Sequence, residues 1–118
     1  MSNFKDGIIR DGSSAGSGSA LGNLKDGIIR AGSGTSKGGG SAVGNVKDGI
    51  IRAGSGTSRG GGSAIGNVKD GVVRAGSGTS RGGGSTKGKV KDYTIKGMER
   101  EDDTEIVAAY HFLVKKFL

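Results

Sequence analysis

Polar and apolar side chains are arranged around a recurring Asp-Gly pair, and that pair predicts the first structural element. In Gly44-Asn45-Val46-Lys47-Asp48-Gly49-Ile50-Ile51-Arg52-Ala53, β-forming residues flank Asp48-Gly49. Asp-Gly in this setting signals a two-residue hairpin turn with positive φ at both central residues. Centring the turn there sets Lys47 against Ile50, Val46 against Ile51, Asn45 against Arg52 and Gly44 against Ala53. Alternation of side chains then sorts two faces. Ala42, Gly44, Val46, Ile51 and Ala53 form an apolar, mostly small face that can be crowded against copies of itself. Val43, Asn45, Lys47, Ile50 and Arg52 form a mixed face that can stand nearer to water.

The unit recurs. Asn3–Arg10, Asn23–Arg30, Asn45–Arg52 and Asn67–Arg74 are near-copies, and Lys89–Lys96 is a worn fifth, at successive offsets of 20, 22, 22 and 22 residues. A fixed period of this length signals a repeat architecture. The units are joined by Gly/Ser-rich connections, Gly32–Gly40, Gly54–Gly62 and Gly76–Gly84, with a shorter Gly12–Gly18 in the first copy. A chain reversal near Ser58-Arg59-Gly60 would make consecutive strands one antiparallel meander of about ten short strands. Repetition about an axis limits the exposed edges such a meander would offer. The predicted fold is therefore all-β: five antiparallel β-hairpins in a closed ring, with a β-solenoid of about 22 residues per coil as the alternative. The repeats divide a single domain, 1–118, at about 3–22, 23–44, 45–66, 67–88 and 89–97.

After Lys96 the pattern changes period. Ile106, Tyr110, Leu113 and Phe117 fall at helical spacing, with Val107, Val114 and Leu118 beside them. This predicts one helix over about 103–116, with a final strand as the alternative. Asp103 or Thr104 would cap its start, and Glu105 and Lys115-Lys116 suit the two ends of the helix dipole. Three of the chain's five aromatic residues lie in this segment. It is expected to pack on one end of the ring and supply bulk that the repeats lack. A membrane-surface or partner-binding role is the other reading.

Composition makes the pattern decisive. Ile, Leu, Val and Phe number 9, 4, 8 and 3, or 24 of 118 residues, while Gly contributes 27. That apolar fraction sits at the edge of disordered composition, so folding depends on the apolar residues recurring at the same place. With no Cys and no Pro, disulfide, thiolate and collagen-like readings have no residues to use. No charged-then-apolar leader precedes the first repeat and no run of about 18 apolar residues occurs, so the expectation is a cytoplasmic chain without a membrane span. The formal net charge of +7 points to acidic partners, or to solubility alone.

The five hairpin units carrying Gly-Asn-Val-Lys-Asp-Gly-Ile-Ile-Arg-Ala-Gly-Ser, followed by Ala108-Ala109-Tyr110-His111-Phe112, resemble the small bacterial five-fold β-flower proteins. The resemblance covers nearly the whole chain. It implies five radially arranged β-hairpins, and it assigns no activity, cofactor or catalytic position. The chain departs from the pattern in its long Gly-Ser connections and in Asp92-Tyr93, where Asp-Gly is expected.

Candidate chemistry is sparse. Gly56–Gly62 looks like a phosphate loop but lacks the G-x-x-x-x-G-K-[ST] spacing and the helix that should follow. Lys37, Arg59 and Arg81 hold equivalent loop positions beside glycine N–H groups, which either form an anion site or are solvated loop cations. Arg10, Arg30, Arg52 and Arg74, with Lys96, form either a basic belt or cations paired locally with Asp or Asn. Asp6, Asp26, Asp48, Asp70 and Asp92 sit where turns want Asp for backbone reasons. Their equivalence does not suit a catalytic carboxylate pair, which needs unequal environments. His111, the single histidine, has no Cys and no evident Ser or Asp partner for nucleophilic catalysis and reads as a boundary residue. The sequence thus predicts a non-enzymatic structural or binding module with no metal or cofactor. Its partner would be another protein or a second copy. The alternative is binding of an anionic ligand, nucleic acid or other polyanion through the Gly/Ser/Lys/Arg loops.

Overall fold

A computed structural model describes residues 2–34, 38–56, 60–78 and 81–118. The strands are β1 (Ser2–Lys5), β2 (Ile8–Asp11), β3 (Ser19–Lys25), β4 (Ile28–Ala31), β5 (Ser41–Lys47), β6 (Ile50–Ala53), β7 (Ser63–Lys69), β8 (Val72–Ala75) and β9 (Ser85–Lys89). They form one antiparallel sheet in sequence order, the meander rather than the solenoid. Ser58 and Arg59, on which the expected reversal centres, lie outside the described residues. Within β5–β6 the register is the one the Asp-Gly turn dictates: Gly44 with Ala53, Asn45 with Arg52, Val46 with Ile51 and Lys47 with Ile50. Asp48 and Gly49 have φ of 53° and 79°, and the other three Asp-Gly pairs match them. Positive φ at both positions defines a type I′ turn, whose twist suits the strands it joins.

Between hairpins the alternation breaks. Ile29 pairs with Gly44 but Arg30 pairs with Ala42, so Val43 is an extra, unpaired residue in β5. This β-bulge recurs at Leu21, Ile65 and Lys87. It corrects the expected faces. A bulge flips the residues beyond it, so Val43, Leu21 and Ile65 pack against the core, and Ala42 falls opposite Arg30 on the other face. Ile9, Ile29, Ile51 and Val73, all at 0% exposure, fill the core face with Leu24, Val46 and Val68.

The expected fifth hairpin does not form. After β9 the chain enters a 3₁₀ turn, Val90–Tyr93. Tyr93 stands where the other units have the glycine that takes positive φ, a conformation that strains a bulky side chain. Asp92 instead accepts a hydrogen bond from the Lys89 N–H (3.0 Å), and the Tyr93 hydroxyl donates to the Lys87 carbonyl (2.8 Å). The segment that follows reaches β1: Asn3 and Lys96 form an isolated parallel bridge, with the Phe4 N–H donating to the Lys96 carbonyl at 2.7 Å.

The tail is one short helix, α1 (Asp103–Ala109), followed by a π turn, Tyr110–Val114. Its cap is Asp102 rather than Asp103 or Thr104, with the Thr104 N–H donating to Asp102 Oδ2 at 3.0 Å. Val107, Ala108 and Ala109 are at 0% exposure. Two adjacent alanines let the helix backbone approach the sheet closely. The helix stops short of the expected residue 116: the Lys115 N–H bonds back to Tyr110 (2.9 Å), and Lys115 is extended. No helix among the described residues is long and apolar enough to cross a membrane.

Candidate interaction surface

Opposite the core face lies a second layer made from the glycine connections. Asn45 is 1% exposed. Its Oδ1 accepts from the Gly60 N–H at 2.8 Å and its Nδ2 donates to the Gly61 carbonyl at 2.9 Å. Asn23 clamps Gly38 and Gly39 in the same way, and Asn67 clamps Gly82 and Gly83. Asn3 accepts from Gly16 and donates to Gly12 and Ser17. An amide side chain supplies both the acceptor and the donor that a loop backbone needs when it folds onto a sheet. The exposed lysines Lys5, Lys25, Lys47 and Lys69 lie along the clamped loops, with Cδ 3.1 to 3.4 Å from the point where a Cβ on Gly16, Gly38, Gly60 or Gly82 would stand.

This loop layer explains a burial pattern that alternation alone did not predict. Ile8, Ile28 and Ile50 are 2%, 3% and 2% exposed, yet lie outside the central cluster. They pair with Asn23, Asn45 and Asn67, the residues that hold loops onto that face. Val72 pairs instead with Lys89 and is only half-buried. Lys89 replaces the asparagine in the one unit that no glycine loop follows. That coincidence was readable in the sequence. The asparagines' role as loop clamps is not predicted from the sequence pattern.

On the core face, repeated glycines are sockets for the tail. A Cβ on Gly44 would lie 2.4 Å from Phe112 Cε2 and Cζ, one on Gly22 2.7 Å from Leu113, and one on Gly66 3.1 Å from Leu118. A Cβ on Gly88 would lie 3.1 Å from the Tyr93 hydroxyl. Tyr93 also stacks on Phe117 with ring centroids 4.0 Å apart and planes at 5°.

His111 fastens that arrangement. It is 5% exposed, and its Nδ1 accepts the backbone N–H groups of Phe117 (2.9 Å) and Leu118 (3.1 Å). It is a latch rather than a boundary residue. Burial, and then the Lys116 charge, hold its pKa below the ordinary imidazole value. The fold therefore prefers the neutral ring with its proton on Nε2. Stability from this group is fully present above the unfolded pKa of about 6.5 and is lost as pH falls through the folded value. Urea unfolding at pH 7.5 and pH 5.5 should show a lower midpoint at the acid end. His111→Leu should lower the pH 7.5 midpoint and flatten this dependence. An unchanged slope in the variant would refute the latch.

The predicted cations separate into two groups. Lys37 and Arg59 lie outside the described residues. Arg81 is exposed, with its Nε donating to the Val68 carbonyl at 3.0 Å. It sits over Gly49 in a cleft of about 460 Å³ that also includes Asp48, Asp102 and Glu105. The N–H groups that follow the three loop cations, those of Gly38, Gly60 and Gly82, are spent on asparagine Oδ1 atoms. An anion nest at these loops would find those donors committed within the chain. Arg10, Arg30, Arg52 and Arg74 form an ordered row: each pairs with an asparagine of its own hairpin, on the loop face, and each is half-buried. Asp6, Asp26, Asp48 and Asp70 stand apart from them at the turn tips, where Glu101 and Glu105 share a cleft with Asp6 and Asp26. The hairpins thus carry carboxylates at the turn end and guanidiniums further along the strands, with Asp11, next to Arg10 in β2, the exception.

No family model, curated protein or solved structure matches this chain.

Proposed function

We propose that the chain is a non-enzymatic binding module of the β-flower kind, engaging another macromolecule or a second copy of itself. Four hairpins, β9 and Thr94–Lys96 would make up the five radial units of a closed ring. The Asn3–Lys96 bridge supports closure at the seam where the tenth strand is missing. The observation that carries the functional reading is repetition of one outward surface. Each of four hairpins offers an exposed lysine and a half-buried arginine beside a loop clamped by asparagine. Such equal, shallow, regularly stepped faces suit an extended or multivalent partner. A small substrate is held instead by one concave site with a few convergent polar groups.

A photoreactive residue placed in turn at Lys25, Lys47 and Lys69 tests the reading in an extract of the source cells. The same macromolecule, or a second copy, should crosslink from all three positions. Adducts from none of them, together with turnover of a stoichiometrically bound small molecule, would overturn it.

A further inference from the structure

We infer that the loop face binds a linear chain of phosphates through Arg10, Arg30, Arg52 and Arg74, with Lys89 continuing the row at one end. This deepens the binding-module reading and rests on it. Three observations converge. First, the four arginines occupy equivalent places in β2, β4, β6 and β8, two strands apart, so their backbone positions step by about 10 Å at a strand spacing of about 4.8 Å. Second, among the described residues no hydrogen bond or ion pair engages these guanidiniums. Third, the row runs toward the one unit whose loop face has no glycine loop. There Arg74 pairs with Thr86 and Val72 with Lys89, and Lys89 is exposed.

The chemistry selects phosphate. A guanidinium is a planar fork of donors that matches phosphate oxygens bidentately, and it is desolvated more easily than an ammonium. In β4, β6 and β8 an alanine follows the arginine and the carboxylates stay at the turn tips, so none competes there; Arg10 alone has a carboxylate beside it, Asp11. Recognition should ignore bases. Tyr93, Tyr110, Phe112 and Phe117 are engaged with one another or with His111, and Phe4 packs on the core cluster. Stacking on aromatic side chains is what single-strand binders use to hold bases. The chain's aromatic rings are thus not available to the loop face for stacking.

Two labelled probes, a thymidine oligonucleotide and inorganic polyphosphate, test this by fluorescence anisotropy across a salt series. Both should bind the intact chain. Single-stranded phosphates contribute a slope of about −0.7 each in log K against log salt, so four to five contacts give about −3. Affinity should fall about 60-fold between about 50 and 200 mM salt. Replacing all four arginines by Gln should cut the slope to about −0.7 or less, what Lys89 alone can supply, and replacing them by Lys should keep most of it, because charge is retained and only the fork is lost. Should the quadruple Gln variant not fold, Arg52→Gln and Arg74→Gln singly should each remove about 0.7 of slope. Binding of neither probe, binding by the folded Gln variants equal to wild type, or binding of the oligonucleotide alone would each overturn the proposal. If neither probe binds while the photo-crosslinks still capture one protein, the arginine row is refuted and the module reading stands. If the crosslinks fail as well and a bound small molecule is turned over, both fall.

Discussion

Gly44→Ala should cost about 3 kcal/mol, near the top of the range for overpacking a core, and lower Tm by more than about 10 °C for a chain this size. The added methyl would meet Phe112 at 2.4 Å and the Arg52 carbonyl oxygen at 2.6 Å. A flexible side chain could move away from it; a backbone oxygen held in the β5–β6 ladder cannot. Combining Gly44→Ala with Phe112→Leu should therefore restore only part of the loss, with a coupling of about 1 kcal/mol between the two sites. Gly56 is the control. A Cβ there meets nothing within 4 Å, so Gly56→Ala should leave Tm unchanged or raise it, by restricting the unfolded chain. Thermal unfolding followed by circular dichroism separates the cases. Equal effects at Gly44 and Gly56 would show that the tail does not sit in glycine sockets.

Asn45→Ala should cost about 2 to 3 kcal/mol, because it strands the Gly60 N–H and the Gly61 carbonyl that the amide now satisfies. Asn45→Asp is the sharper probe. Its carboxylate can still accept from Gly60 but cannot donate to Gly61, and it sets a negative charge against that carbonyl oxygen. Both variants should speed amide exchange at Gly60 far more than at Ile51. Each asparagine clamps its own loop, so Asn23→Ala and Asn67→Ala should add to Asn45→Ala within about 0.5 kcal/mol. All three together would consume most of the roughly 5 to 15 kcal/mol that holds a domain folded. Unaltered exchange at Gly60 in Asn45→Ala would mean that the loops are held by something else.

Charge placement links these effects to the proposed role. The clamps keep glycine loops on the sheet, where they bury Ile8, Ile28 and Ile50 and leave the lysine and arginine of each unit facing outward. A hairpin whose loop lifts would expose an isoleucine and lose the fixed step between cations.

By itself the sequence determined what local chemistry controls. Asp-Gly turns set positive φ at two adjacent residues, and that fixed the hairpin register for Gly44 to Ala53 residue by residue. The helical spacing from Ile106 onward favoured a terminal helix over a strand, and one forms over Asp103–Ala109. Tertiary contacts decided what distant residues contribute. The bulges at Leu21, Val43 and Ile65 exchange sheet faces only because one strand must pair with a neighbour across a glycine connection. Asn45 becomes a clamp only when Gly60, 15 residues away, folds onto it. The helix ends early because His111 Nδ1 draws in the backbone of Phe117 and Leu118. Periodicity reports which residues share a face along one element. The partner across that face is set by packing between elements, which no local pattern encodes.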